Sequence, residues 1–195
     1  MRAILLASIF AACLAAPAAA QSLVSTYTPL DLDKCRHTRG KDVEDYGAWQ
    51  CAGFQGIGVR ITAGDMRMYV SYGREAKNEP AARETLASFH GEGTTIEWRS
   101  ERSADGKFTP FATILRFRTT VSDGDKSATG QVLVVTRLPP GAVCRVGYVD
   151  GRANPDANAL AQKIADEIAR NFKCGSDKPV FLGNKGPGFS GPYGN

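Results

Sequence analysis

Few residues in this chain have chemistry to offer. The two histidines, His37 and His90, are its only imidazole bases. His37 lies in Cys35-Arg36-His37-Thr38-Arg39, and His90 closes a run with helical spacing, where an imidazole commonly meets the negative end of the helix dipole. Neither stands beside a nucleophile in a recognisable turn, and no Gly-x-Ser-x-Gly elbow is present. Asp123, Asp125 and Ser127 begin a calcium-loop pattern, but Ala128 replaces the required glycine and Val134 the closing acid. Asn154, Asp156 and Asn158 alternate in the same way and read as helix capping. Gly53, Gly56 and Gly58 precede a strand, whereas a phosphate cradle needs a helix N-terminus. The pattern argues for no metal and no cofactor, and leans away from an enzyme. A hydrolase built on scattered carboxylates is the lesser alternative.

Arginine carries the stronger pattern. On the strand parity opposite the apolar residues stand Arg60, Arg67, Arg99, Arg116, Arg118, Arg137 and Arg145, with Tyr69 among them, opposed by Glu97 and Glu101. A sheet face of guanidinium forks without lysine suits carboxylate or phosphate recognition. The expected partner is an acidic protein, an envelope polymer or a lipid headgroup. The plainer alternative is a solvated face whose ion pairs contribute little. A formal net charge of +4 is too mild to imply nucleic acid.

These side chains must be positioned by strands and helices. Ile57, Val59 and Ile61, then Met66, Met68, Val70 and Tyr72, alternate with polar residues and predict two strands. From Asn78 the period changes: Pro80 suits a first helical turn, Ala82, Leu86 and Phe89 share a face, and Gly91 follows His90 as a stop. Four further strands are expected around Ile96–Trp98, Phe111–Phe117, Gln131–Leu138 and Ala142–Val149, and Val180–Leu182 suggests an added edge strand. A long helix is predicted over 155–173, with Asn154 as N-cap, an Asp166–Arg170 pair and the stripe Leu160, Ala161, Ile164, Ala165, Ile168 and Phe172. The expected class is α+β: an antiparallel sheet of about six strands, a short helix after strand two, and the long C-terminal helix on the apolar face.

The N-terminus reads as an export signal, residues 1–20, with Arg2, an apolar run from Ala3 to Ala16, and Ala18-Ala19-Ala20 before Gln21. Phe10 stands where a lipobox before Cys13 wants an aliphatic residue, so lipidation is the minor reading. Removal leaves 175 of the 195 residues and four cysteines, Cys35, Cys51, Cys144 and Cys174, an even count that suits disulfides in an oxidising compartment. Of three connectivities, Cys144–Cys174 would staple the terminal helix to the sheet and leave Cys35–Cys51 as a local bridge. One domain is expected over 21–182, with residues 21–55 irregular and a mobile Gly/Pro-rich tail over 183–195.

The strings Asp31-Leu32-Asp33-Lys34-Cys35, Ala112-Thr113-Ile114-Leu115-Arg116 and Gly130-Gln131-Val132-Leu133-Val134-Val135-Thr136 resemble small, uncharacterised exported proteins of alphaproteobacteria. The resemblance implies a Gram-negative periplasmic or secreted setting and supplies no catalytic residues. The leading expectation is a non-enzymatic periplasmic binding or envelope-associated module for an anionic partner. A small proteinaceous enzyme inhibitor presenting the acidic loop Asp42–Tyr46 is the other alternative, besides the hydrolase.

Overall fold

A computed structural model describes residues 22–39, 46–123 and 125–193. The expected signal segment 1–20 and the acidic loop up to residue 45 lie outside the described residues. Among the described residues, ten strands form two sheets. The larger sheet has the order β1 (Ser22–Pro29), β6 (Phe89–Arg102), β7 (Phe108–Asp123), β8 (Lys126–Arg137), β9 (Arg145–Asp150) and β10 (Val180–Phe181), all antiparallel neighbours except the parallel β9–β10 pair. The smaller runs β2 (Arg36–Arg39), β3 (Gly47–Cys51), β4 (Val59–Gly64) and β5 (Arg67–Tyr72). Helix α1 (Ala157–Ile164) continues through one π turn, Ala165–Ala169. Strands occupy 48% of the chain, so the expected α+β class is corrected to a largely β protein.

The layers explain the sequence pattern. One core lies between the sheets and joins Val59, Ile61, Val70 and Tyr72 to Ile96, Trp98, Leu115, Phe117, Val134 and Tyr148. The other lies between the larger sheet and α1, joining Ala112, Ile114, Leu133 and Val135 to Ala161, Ile164, Ala165 and Ala169. The helix therefore covers the face that alternation marked as outer, while the smaller sheet covers the apolar parity. Each fully buried Ile, Leu or Phe in these cores contributes about 1.5–3 kcal/mol.

Two predicted helices change form. Pro80 starts only a 3-10 turn, Pro80–Arg83, and the chain then extends: Leu86 bridges to Pro192, and Phe89 and His90 open β6. The helical spacing of Ala82, Leu86 and Phe89 was a coincidence, since only Leu86 is buried and Phe89 is exposed. The C-terminal helix is short, and Asn154 does not cap it. Its buried amide instead donates to the carbonyls of Asp150 and Asn184, both at 2.9 Å, and accepts the Asn184 N–H at 2.8 Å. Asp166 does not pair with the Arg170 side chain as expected; Arg170 pairs with Glu101 and donates to the Asp166 main-chain carbonyl.

The stretch expected to be irregular contains β1, β2 and β3. Edge strand β1 is bound through Trp98, whose Nε1 donates to Thr28 Oγ1 at 2.8 Å. The expected mobile tail is likewise packed over 184–193. Gly188 lies on Gly130 so closely that a Cβ on Gly130 would sit 2.0 Å from the Gly188 carbonyl oxygen. Thr119 Oγ1 donates to that carbonyl at 2.7 Å, and Phe189 packs edge-on to Phe181 with centroids 4.6 Å apart. Glycine composition here serves close backbone approach rather than freedom.

Both disulfides have the expected pairing, Cys35–Cys51 and Cys144–Cys174. The second closes a span of 30 residues and ties the helix exit to β9. Replacing Cys144 and Cys174 together by alanine should lower the unfolding free energy by about 3–4 kcal/mol in a denaturant titration. A loss under about 1 kcal/mol would show that the closed loop is already ordered in the unfolded chain.

Candidate anion-binding site

The eight residues of the expected basic face occupy three different places. Arg60, Arg67 and Tyr69 stand on the outer face of the smaller sheet, in β4 and β5. Arg99, Arg116, Arg118 and Arg137 stand on the helix side of the larger sheet. Arg145 is buried between the sheets, with its guanidinium 5.6 Å from the centre of the Phe117 ring. One continuous basic surface is therefore not formed.

Several of these arginines are committed to the fold. Arg67 donates to the Ala87 carbonyl through Nε and Nη2, pairs with Asp65, and lies over the rings of Phe89 and Tyr193. Arg137 donates to the carbonyls of Phe172 at 3.0 Å and Pro140 at 2.6 Å, closing the end of the helical segment. Arg99 is buried and makes a bidentate pair with Asp166, at 2.9 and 2.6 Å, while Nη1 donates to Ser25 Oγ at 2.7 Å. Beside it, Gln162 donates to Glu97 Oε1 at 2.7 Å, and Ser25 Oγ bonds the same oxygen. This network is what a sheet face needs when a helix removes it from water.

Besides a cleft that Arg67 and Arg118 both border, Arg116 and Arg118 share a second one. It has a volume of about 270 Å³ and is bordered by Tyr27, Thr94, Thr95, Glu97 and Asn158. Its origin is an irregularity in β6: Glu92 pairs with Phe117 and Ile96 with Leu115, so Gly93, Thr94 and Thr95 face the single residue Arg116. The bulge forces the backbones together, and a Cβ on Gly93 would lie 2.7 Å from the Arg116 carbonyl oxygen.

Arg116 is half-buried. Its Nη1 donates to Gln131 Oε1 and its Nη2 to Asn158 Oδ1, both at 2.8 Å. Gln131 comes from β8 and Asn158 from the first turn of α1, so sheet and helix together aim the guanidinium. Neither acceptor is charged, and Arg116 forms no ion pair among the described residues. Burial presses its pKa down from the usual arginine range, yet the group stays protonated. A Cβ on Gly151 would stand 2.3 Å from Nη1, so that glycine leaves room for this orientation. Gln131, Asn158, Gly93 and Gly151 were invisible as site residues in sequence. The glycine before Thr94-Thr95 was the one available sign of a bulge.

The histidines do not converge on a nucleophile. His37 stacks on Trp49 at the edge of the smaller sheet, with centroids 4.6 Å apart. His90 is buried in β6, where Nδ1 donates to the Ser88 carbonyl at 2.8 Å and Nε2 accepts the Met68 N–H at 3.1 Å. Burial lowers its pKa, and the bond from Met68 requires the neutral ring, which joins β5 to β6. Among the described residues no group of three or more His, Cys, Asp or Glu could hold a metal ion.

No family model, curated protein or solved structure matches the chain.

Two outcomes test this assignment of roles. Asp166→Ala strands the buried Arg99 charge and should cost about 3 kcal/mol in unfolding free energy, measured by denaturant titration. A negligible loss would mean that water reaches Arg99. Glu92, close to Arg118, has its pKa raised by burial. The stabilisation it contributes is full below its ordinary value of 4.5 and fades as pH rises through the higher folded value. Neutral Glu92→Gln should therefore gain in Tm over wild type as pH goes from 4.5 to 7, and a constant difference would refute the shift.

Proposed function

We propose that this chain is an exported, non-enzymatic binding module of the periplasm or secreted space that takes an anionic partner at the Arg116–Arg118 cleft. The observation that carries the reading is the half-buried Arg116 guanidinium, oriented by two neutral amide oxygens and left without an acidic partner. An interior ion pair of purely structural purpose would bring an acid to it, as Asp166 is brought to Arg99. Exposed Arg118 adds a second fork beside it, and Tyr27 offers an exposed ring at the rim. The anionic group would belong to an acidic protein, an envelope polymer or a lipid headgroup.

Export is supported by the signal-like N-terminus, by the resemblance to alphaproteobacterial exported proteins, and by two disulfides that suit an oxidising compartment. Among the described residues no helix is long and apolar enough to cross a membrane. The hydrolase alternative needs paired carboxylates at one cleft. The Arg116–Arg118 cleft is bordered by one acid, Glu97, whose Oε1 is occupied by Ser25 and Gln162, while Glu84 and Asp177 together border the separate pocket around Arg145. The loop on which the inhibitor alternative rests lies outside the described residues up to Tyr46.

The test is affinity capture from a periplasmic and envelope extract with residues 21–195, alongside the Arg116→Glu/Arg118→Glu double variant. The wild type should retain an anionic component that elutes with salt, and the folded variant, checked by circular dichroism, should lose it. Equal retention by both proteins would overturn the assignment to this cleft.

A further inference from the structure

We propose that the pocket around Arg145 is a second binding site, for a small carboxylate. It is independent of the Arg116–Arg118 cleft. The pocket has a volume of about 210 Å³ and lies where β9, the link before β6 and the C-terminal segment meet. Arg145 and Tyr148 come from β9, Glu84 and Thr85 from the link, and Pro192 and Tyr193 from the C-terminal segment.

Arg145 is 1% exposed, and among the described residues neither Nη1 nor Nη2 has a hydrogen-bond partner of good geometry, although the guanidinium is close enough to the Tyr148 hydroxyl to oppose the rise that burial causes in its pKa. Five N–H donors make the guanidinium the most demanding group to bury, and leaving its terminal nitrogens unpaired is costly. The acid that could neutralise it is otherwise engaged. Glu84 Oε2 accepts the main-chain N–H of Arg145 at 2.7 Å, and the two side chains form no ion pair. The ring of Phe117 answers the charge but accepts no pair of directed bonds. A planar carboxylate would meet the fork with two parallel hydrogen bonds.

The surroundings select the kind of anion. Arg83, Glu84 and Asp177 border the pocket with Arg145, so its two acids balance its two cations and a single negative charge is a closer match than a doubly charged phosphate. A single carboxylate adds less negative charge beside Glu84, a group whose pKa burial already raises. Phe172 and Pro179 provide apolar wall for a short alkyl chain, and the space fits about six to eight non-hydrogen atoms at interior packing density. Because the terminal nitrogens of Arg145 are shielded from solvent, entry requires part of the wall to yield. On this proposal the wall that yields is the segment carrying Pro192 and Tyr193, which is held by the Tyr193 N–H to the Thr85 carbonyl at 2.9 Å and the bridge from Leu86 to Pro192. The carboxylate could arrive on a free short-chain acid or on the C-terminus of a peptide.

The experiment titrates butyrate, and separately an acetylated alanine dipeptide with free or amidated C-terminus, into residues 21–195 by calorimetry and thermal shift. Saturable binding of butyrate, or of the free but not the amidated dipeptide, is expected, and which probe binds identifies the source. Glu84→Gln keeps an acceptor for the Arg145 N–H while removing the negative charge, so it should bind the same probe about fivefold more tightly at pH 7.5. Arg145→Gln, if folded, should abolish binding, and Arg116→Glu/Arg118→Glu should leave it unchanged. Absence of saturable binding to both wild type and Glu84→Gln would overturn the proposal. So would binding that survives Arg145→Gln, or binding lost in the Arg116→Glu/Arg118→Glu variant, which would assign it to the cleft.

Discussion

Strands β6, β7 and β8 are covered on both faces, by the smaller sheet on one side and by α1 with its π turn on the other. A charged side chain on these strands must then find its partner inside the protein or at the margin of a covering layer, while a smaller polar group such as Ser100 Oγ stays buried without one among the described residues. The arginine network follows from that constraint. Arg99, under the middle of the helical layer, takes both oxygens of Asp166. Arg137, near its end, takes the Phe172 carbonyl, and Arg116, near its beginning, takes Asn158. The helix is short and only moderately apolar, and these polar contacts fix where along the sheet it lies. Arginine suits the task because its long stem packs along apolar neighbours while its fork reaches a partner at the edge.

Departures from regular pairing create the places with functional potential. In β6 the segment Gly93–Thr95 opposes one residue of β7, opening the cleft beside Arg116. Between β8 and β9, Val135 pairs with Gly147 and Thr136 with Arg145, leaving Val146 as the extra residue. That insertion reverses the parity of everything before it. Cys144 and Val146 join the helix-side core, and Arg145 turns between the sheets toward Phe117. A further break between Arg99 and Ser100 puts both Phe111 and Ala112 on the helix side. Because side chains alternate with period two, one added residue exchanges inside and outside for the rest of a strand.

The chain ends contribute more than their composition suggests. β1 is polar and lies at an edge, yet it supplies Thr28 to Trp98 and Ser25 to the Arg99 network. Near the other end, Gly186 donates its N–H to Asp150 at 2.7 Å, and Ser190 Oγ accepts the Ser88 N–H at 2.9 Å. The C-terminal segment thus closes one side of the molecule by backbone contact, which glycine permits and larger residues would prevent.

Sequence alone determined the alternation of β4, β5, β7, β9 and the second half of β6, the apolar run of β8 and the apolar stripe of the C-terminal helix, and it favoured Cys144–Cys174 with Cys35–Cys51 among three open pairings. These are local signals, since period, turn residues and cysteine count are read within one segment at a time. The assignment of Trp98, Phe117 and Tyr148 to the core was legible for the same reason. Only the tertiary structure decided what covers each face. A strand with charged residues on one parity reads identically whether those residues meet water or a helix carrying Asp166. It also decided the parity of Arg145, because the alternation of Val143 to Val149 reads the same with or without Val146 as an added residue. The extended link through Leu86 and the packed tail support each other, since the Ala87 N–H donates to the Gly191 carbonyl and the Tyr193 N–H to the Thr85 carbonyl. Candidate sites therefore emerge where distant segments meet, at Arg116 between β8 and α1 and at Arg145 between β9 and the C-terminal segment, and no local window of sequence contains both halves of either.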